Sequence, residues 1–169
     1  MREEQYNEIL RLARTYRREA LRCRGARAYL AGCVMLGAAL EAMLVAVTSI
    51  YWREAKRTRA APRRKKKVRP LAEWDLAALL GVAIELEWLP SGLERGQDWT
   101  RRRAKIGDYA VALRQTRNLV HPGYYLRTHS PSRVTKRYLE GYLEVLDVSV
   151  EWLLHKVTED LRKHLDQSR

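Results

Sequence analysis

The stretch A-V-A-L-R-Q-T-R-N-L-V-H-P-G-Y-Y-L-R, residues 110–127, carries the side chains best suited to chemistry: Arg114, Arg117, Asn118 and His121. An imidazole titrates near neutrality and moves protons, and a guanidinium presents parallel donors that fit a phosphate or carboxylate. On a helix turning about 100° per residue, Ile106, Tyr109, Ala110, Leu113 and Val120 form one apolar stripe. Arg117 falls near its middle, with Arg114 and His121 beside it. Pro122 lacks an N–H and disfavours αR at His121, and Gly123 tolerates positive φ. The helix is therefore predicted to stop at about His121, among its unpaired carbonyls.

Three readings of this cluster stay open: a catalytic site, an anion-binding site, or plain architecture. A buried Arg117 needs a partner, and Glu41, the lone carboxylate of an otherwise apolar segment, is the natural one. Asn118 and His121 would then only satisfy the last carbonyls of the helix. Tyr124, Tyr125 and Arg127 follow the cluster. They offer stacking faces and a cation to a nucleic acid, or they pack on the last helix.

Charge narrows the class of partner. The formal net charge is +13, but Arg53 to Arg69 holds ten Lys/Arg against Glu54 alone, a net of +9, leaving +4 for the rest of the chain. Such an arm suits phosphate backbones or an acidic surface, and Arg63, Arg64, Lys65, Lys66, Lys67 and Arg69 are its candidate nucleic-acid contacts. The run T-R-A-A-P-R-R-K-K-K-V-R-P from Thr58 to Pro70 has no apolar period and reads as a mobile loop.

The elements that must position these groups are helical throughout. Arg2 to Arg24 places Tyr6, Ile9, Leu10, Ala13, Tyr16, Ala20 and Leu21 at three- and four-residue steps, an amphipathic helix. Ala28 to Trp52 is almost wholly apolar apart from Glu41 and long enough to cross a bilayer. Its central carboxylate would cost on the order of 3 kcal/mol there and both flanks are basic, so a buried helix at the centre of a bundle is the better reading. Its small residues, Gly32 and Gly37 among them, suit close helix packing. A third helix is predicted over Leu71–Leu89, and a fourth from an Asp98 N-cap through Arg101, Arg102, Arg103 and Lys105 to His121. After a turn from His121 to Pro131, Ser130 or Ser132 caps a long last helix with a stripe through Val134, Tyr138, Tyr142, Val145, Leu146, Trp152, Leu153, Val157 and Leu161. These are five helices in one all-α up-down bundle, a single domain over residues 1–169.

The pairing of A-A-L-E-A-M-L (Ala38 to Leu44) with a later helix ending R-N-L-V-H-P (Arg117 to Pro122) resembles the HEPN family, and the order and length of helices fit across nearly the whole chain. The family's motif is an Arg, a polar residue directly after it, and a His separated from the Arg by four to six intervening residues. Arg114 meets the spacing to His121, and Arg117 has the polar neighbour Asn118. The resemblance implies a homodimer and, for catalytic members, a metal-independent endoribonuclease of the toxin–antitoxin or defence type, in which two motifs meet across the dimer axis. It leaves room for a cognate antitoxin or other partner protein. His121 would take a proton from a ribose 2′-hydroxyl, an arginine would hold the charge on the attacked phosphate, and Asn118 would orient either group. The rival is a non-catalytic HEPN-like interaction module that binds nucleic acid or an acidic partner, with Glu41 and Arg117 as a structural pair.

Other chemistries find no support in the residues. Cys23 and Cys33 have no CxxC spacing, which argues against a disulfide framework or zinc and for a reducing, cytoplasmic setting without a signal peptide. His129, His155 and His164 lack metal-ligand spacing, and the i,i+4 pairs His155/Glu159 and Asp160/His164 read as surface salt bridges. With no phosphate-cradling glycine loop, no GxSxG and no carboxylate cluster, no metal and no cofactor are expected.

Overall fold

A computed structural model describes residues 2–92, 104–128 and 134–167 of the chain. It is all-α apart from one small hairpin: α1 (Glu3–Gly25), α2 (Tyr29–Ile50), α3 (Trp52–Ala55), β1 (Arg63–Arg64), β2 (Lys67–Val68), α4 (Leu76–Glu85), α5 (Ile106–Arg117), α6 (Pro122–Thr128) and α7 (Lys136–Gln167). The Asp98, Ser130 and Ser132 caps predicted from sequence, together with Arg101, Arg102, Arg103 and His129, lie outside the described residues.

Helix α2 is the axis of the bundle, and α1, α4, α5 and α7 all pack on it. Its length and composition would suit a membrane, but 56% of its most apolar window is buried inside the protein. Leu36, Leu40, Leu44 and Val47 of α2 meet Leu79, Leu80, Leu113, Leu139, Leu146 and Leu153 in the core. The small residues of α2 explain how the partners come so close. A Cβ at Gly32 would stand 2.8 Å from the Leu139 methyls of α7, and one at Gly37 would stand 2.6 Å from Cδ of Arg117 on α5. Across the surface, Arg17 of α1 grips Asp147 of α7 through two 2.8 Å hydrogen bonds.

Several boundaries differ from the sequence expectation. The third helix is shorter than Leu71–Leu89 because Asp75 caps it, accepting from the Ala78 N–H at 2.8 Å, after a 3-10 turn over Leu71–Glu73. It ends where Glu87 takes φ 57°, and the apolar period continues only because that turn buries Trp88 and Leu89. Pro122 does not merely end a helix: it occupies the first position of α6, where its missing N–H is harmless. In α7 the predicted stripe is wrong at Tyr138, Trp152 and Leu161. Those three are exposed, whereas Val145, Leu146 and Leu153 of the same stripe are buried as expected, joined by Leu139, Leu143 and Ser149.

The largest departure is the basic arm, predicted as a mobile loop. It is an antiparallel hairpin with Arg63 opposite Val68 and Arg64 opposite Lys67. The body holds it down at several points. Both oxygens of Glu85 accept backbone N–H groups, of Arg59 at 2.8 Å and Ala60 at 3.0 Å. Arg63 donates to the carbonyls of Lys56, Thr58 and Ala61 at 3.0 to 3.1 Å, and the Trp74 indole donates to the Arg69 carbonyl at 3.0 Å. The turn residues Lys65 and Lys66 have φ 46° and 68°, the left-handed pair that a two-residue type I′ turn needs and that Asn-Gly normally supplies. Replacing them (Lys65→Asn, Lys66→Gly) should raise stability by about 1 kcal/mol, measured by urea unfolding, by removing that backbone strain. A loss of stability would contradict the turn geometry.

Candidate anion site at the end of α5

The C-terminal turn of α5 crosses α2 at its smallest residue. The stem of Arg117 lies on the bare backbone of Gly37, with Cβ, Cγ and Cδ all within 3.3 Å of the position a glycine Cβ would take. One turn further along α2, on the same face, Glu41 receives the head: Arg117 Nη1 donates to Glu41 Oε2 at 2.6 Å. The two side chains keep 29% and 27% of their exposure, so the pair is half-shielded from water. The pairing expected from sequence is therefore present, and it holds Arg117 against α2.

The other three candidates stand differently. Arg114, one turn earlier on α5, is half-buried and makes no ion pair or hydrogen bond through its side chain among the described residues. Asn118 opens a 3-10 turn, Asn118–Val120, that carries the chain from α5 to α6. His121 is exposed and extended, at φ −90° and ψ 113°. It does not sit among orphan carbonyls. Its N–H donates to the Asn118 carbonyl at 3.0 Å, and its own carbonyl accepts from Tyr124 at 2.9 Å and Tyr125 at 3.0 Å. The backbone at the junction is thus fully engaged, and the imidazole projects from a fixed hinge between two helices.

On α6, Tyr124 is half-buried and Tyr125 and Arg127 are exposed, so the aromatic and basic groups expected beside the cluster share its end of the molecule. The hairpin is anchored on α3 and α4. There Arg63, an exposed residue, donates from both Nη atoms to backbone carbonyls and so helps to hold the hairpin. Arg64, Lys65, Lys66, Lys67 and Arg69 are exposed, without an ion pair among the described residues.

Two groups with a structural role carry no clear signal in the sequence. Asp108 is 4% exposed and accepts from the N–H groups of Lys105 at 2.7 Å and Gly92 at 2.9 Å and from the Ser91 hydroxyl. It ties the start of α5 to the end of the preceding segment. The apolar surroundings of Cys33 push its thiol up to about 12, which keeps it protonated and inert at neutral pH. On α7, Glu159 pairs with Lys163 and Asp160 with Lys156, each at 3.1 Å, and the His164 side chain expected beside Asp160 lies outside the described residues.

Comparison with family models, with curated proteins and with solved structures returned no match for this chain.

Because the Arg117 pair is half-shielded, removing one partner should cost more than an exposed ion pair and less than a buried one. Glu41→Gln is expected to lower stability by about 2 kcal/mol in chemical unfolding, and Gly37→Val by at least as much through collision with the Arg117 stem. A change near zero for both would mean that the crossing does not hold α5 in place.

Proposed function

We propose that this chain is a HEPN-like RNA-binding protein acting as a cytoplasmic homodimer, and that the Arg114, Asn118 and His121 cluster cleaves the bound strand without a metal. The observation that carries the reading is an exposed imidazole close in sequence to a guanidinium, that of Arg114, with no acid attached among the described residues. Arg117, with its Asn118 neighbour, serves instead to fix the end of α5 through Glu41. Arg64, Lys65, Lys66, Lys67 and Arg69 hold the phosphate backbone, and Tyr124, Tyr125 and Arg127 meet the strand beside the cluster.

In this reading His121 removes the proton from a ribose 2′-hydroxyl. The 2′-oxygen attacks the adjacent phosphorus, the bond to the 5′-oxygen breaks, and the leaving oxygen takes a proton. The products are a 2′,3′-cyclic phosphate and a 5′-hydroxyl end. Arg114 holds the equatorial charge that builds on the phosphate, and Asn118 orients it. A toxin–antitoxin or defence setting fits such an activity, and a cognate antitoxin would then cover the cluster.

The Arg117–Glu41 pair favours a second reading, a non-catalytic HEPN-like module that binds nucleic acid or an acidic partner. It takes one of two arginines away from the phosphate. Incubation of the protein with single-stranded and structured RNA in EDTA separates the two. The enzyme reading expects cyclic-phosphate ends that persist under chelation and fall by about 100-fold or more in His121→Ala with the fold intact. Absence of cleavage by wild-type protein leaves the binding module. For the arm, replacing Lys65, Lys66 and Lys67 by Gln should weaken RNA binding and reduce the salt slope by about 0.7 for each phosphate no longer neutralised. An unchanged slope removes the hairpin from the account.

A further inference from the structure

Between α5 and α7 runs an open groove of about 1260 Å³, floored by Ile106 and Ala112 on one side and by Tyr138, Tyr142 and Val148 on the other. It is built rather than accidental. The Tyr142 hydroxyl bonds to Thr116 at 2.8 Å and to the Ala112 carbonyl at 3.3 Å, which fixes the two helices at this spacing, and the Tyr138 ring lies 6.3 Å from that of Tyr142. Along α7, Tyr138, Gly141, Val145, Val148 and Trp152 recur at steps of three and four, the period of a helix seam, with Val145 (8% exposed) and Val148 forming its covered base and the other three exposed. Tyr138 and Trp152 are 47% and 46% exposed at its two ends.

Gly141 stands in the interior of α7, where glycine weakens a helix by about 1 kcal/mol relative to alanine. Gly32 and Gly37 each make room for a neighbouring side chain. At Gly141, by contrast, a Cβ would meet nothing within 4 Å. None of the described residues accounts for the gap. Two exposed charges of opposite sign, Arg137 and Glu144, flank it on the same face of α7, and neither makes an ion pair among the described residues. They are two turns apart, roughly 10 Å along the axis, with Gly141 between them.

We infer that a second copy of this chain occupies the groove, its α7 crossing this α7 antiparallel at Gly141. A two-fold axis there carries Arg137 to Glu144 of the partner subunit and Glu144 to Arg137 of the partner subunit, so one surface satisfies its own charges twice. The missing Cβ lets the backbones approach to the short end of helix spacings, about 8 Å, and closes the seam over both grooves. Arg114 lies on nearly the opposite side of α5 from Ala112 and Thr116, so this contact leaves it uncovered. The inference rests on the homodimer of the proposed function but sets Arg114 away from the two-fold axis, unlike the pairing of motifs across the axis that the HEPN resemblance implies, and the contact itself needs no RNA.

Sedimentation equilibrium between roughly 1 and 100 μM provides the test. Wild-type protein is expected to dimerise. Gly141→Trp is expected to fold, since the site is open within one chain, yet to run as a monomer. Arg137→Glu and Glu144→Arg should each weaken the dimer by about tenfold or more, and the double variant, which restores opposite charges across the axis, should recover it. A monomeric wild type, a dimeric Gly141→Trp, or single reversals without rescue in the double variant would overturn the inference. RNA binding measured on the same variants keeps its failure separate from that of the nucleic-acid reading.

Discussion

The end of α5 is held by one arginine that has to cross a helix before it finds its carboxylate. The Arg117 stem can lie on α2 only because position 37 carries no side chain, and its head is caught only because Glu41 follows one turn later on the same face. Gly37, Glu41 and Arg117 act as a unit, in which a glycine supplies the approach and a half-shielded ion pair supplies the register. The short elements that directly follow α5 inherit their position from this crossing. The 3-10 turn, the His121 hinge and α6 follow within a few residues, and α6 packs chiefly on that turn.

The chemical consequence is a division of labour between two arginines three residues apart. Arg117 is paired with Glu41 and braced on α2. Arg114 carries the available charge. The junction that presents His121 is rigid in its backbone for a simple reason: a residue between two helices that donates to the first and accepts from the second has little freedom left in φ and ψ. A general base profits from such placement, and so does a binding site. The hairpin extends the same logic to the basic arm, since a folded ribbon of cations loses less entropy on meeting a polyanion than a free loop does.

The central helix, the Glu41–Arg117 pair and the all-α class are legible in the sequence because each rests on a local rule. A run of apolar residues with one carboxylate demands burial and a counter-ion, and Arg117 sits in an apolar stripe where it can provide one. What is illegible depends on long-range contacts. The hairpin has strands of two residues and lysines in its turn, so its fold is imposed by Glu85 and Trp74 from outside rather than by strand propensity. Asp108 looks like any acidic residue in a first helical turn until the chain before it folds back to donate to it. Pro122 reads as a stop signal, although proline opens a helix as readily as it closes one. The period alone puts Tyr138 and Trp152 in the core, but a period gives the face of a helix and not the neighbour that covers it.

The claim on which the rest depends is that the anion site is formed by Arg114 and His121 while Arg117 stays bound to Glu41. Nuclear magnetic resonance of the His121 imidazole and the arginine Nε–H groups, during titration with an RNA oligonucleotide blocked at its 2′-oxygens, reports on all three side chains at once. The account predicts that the His121 and Arg114 signals move together with RNA and that the Arg117 signal does not. Movement of Arg117 away from its Glu41-bound position, or a His121 signal indifferent to RNA, would contradict it.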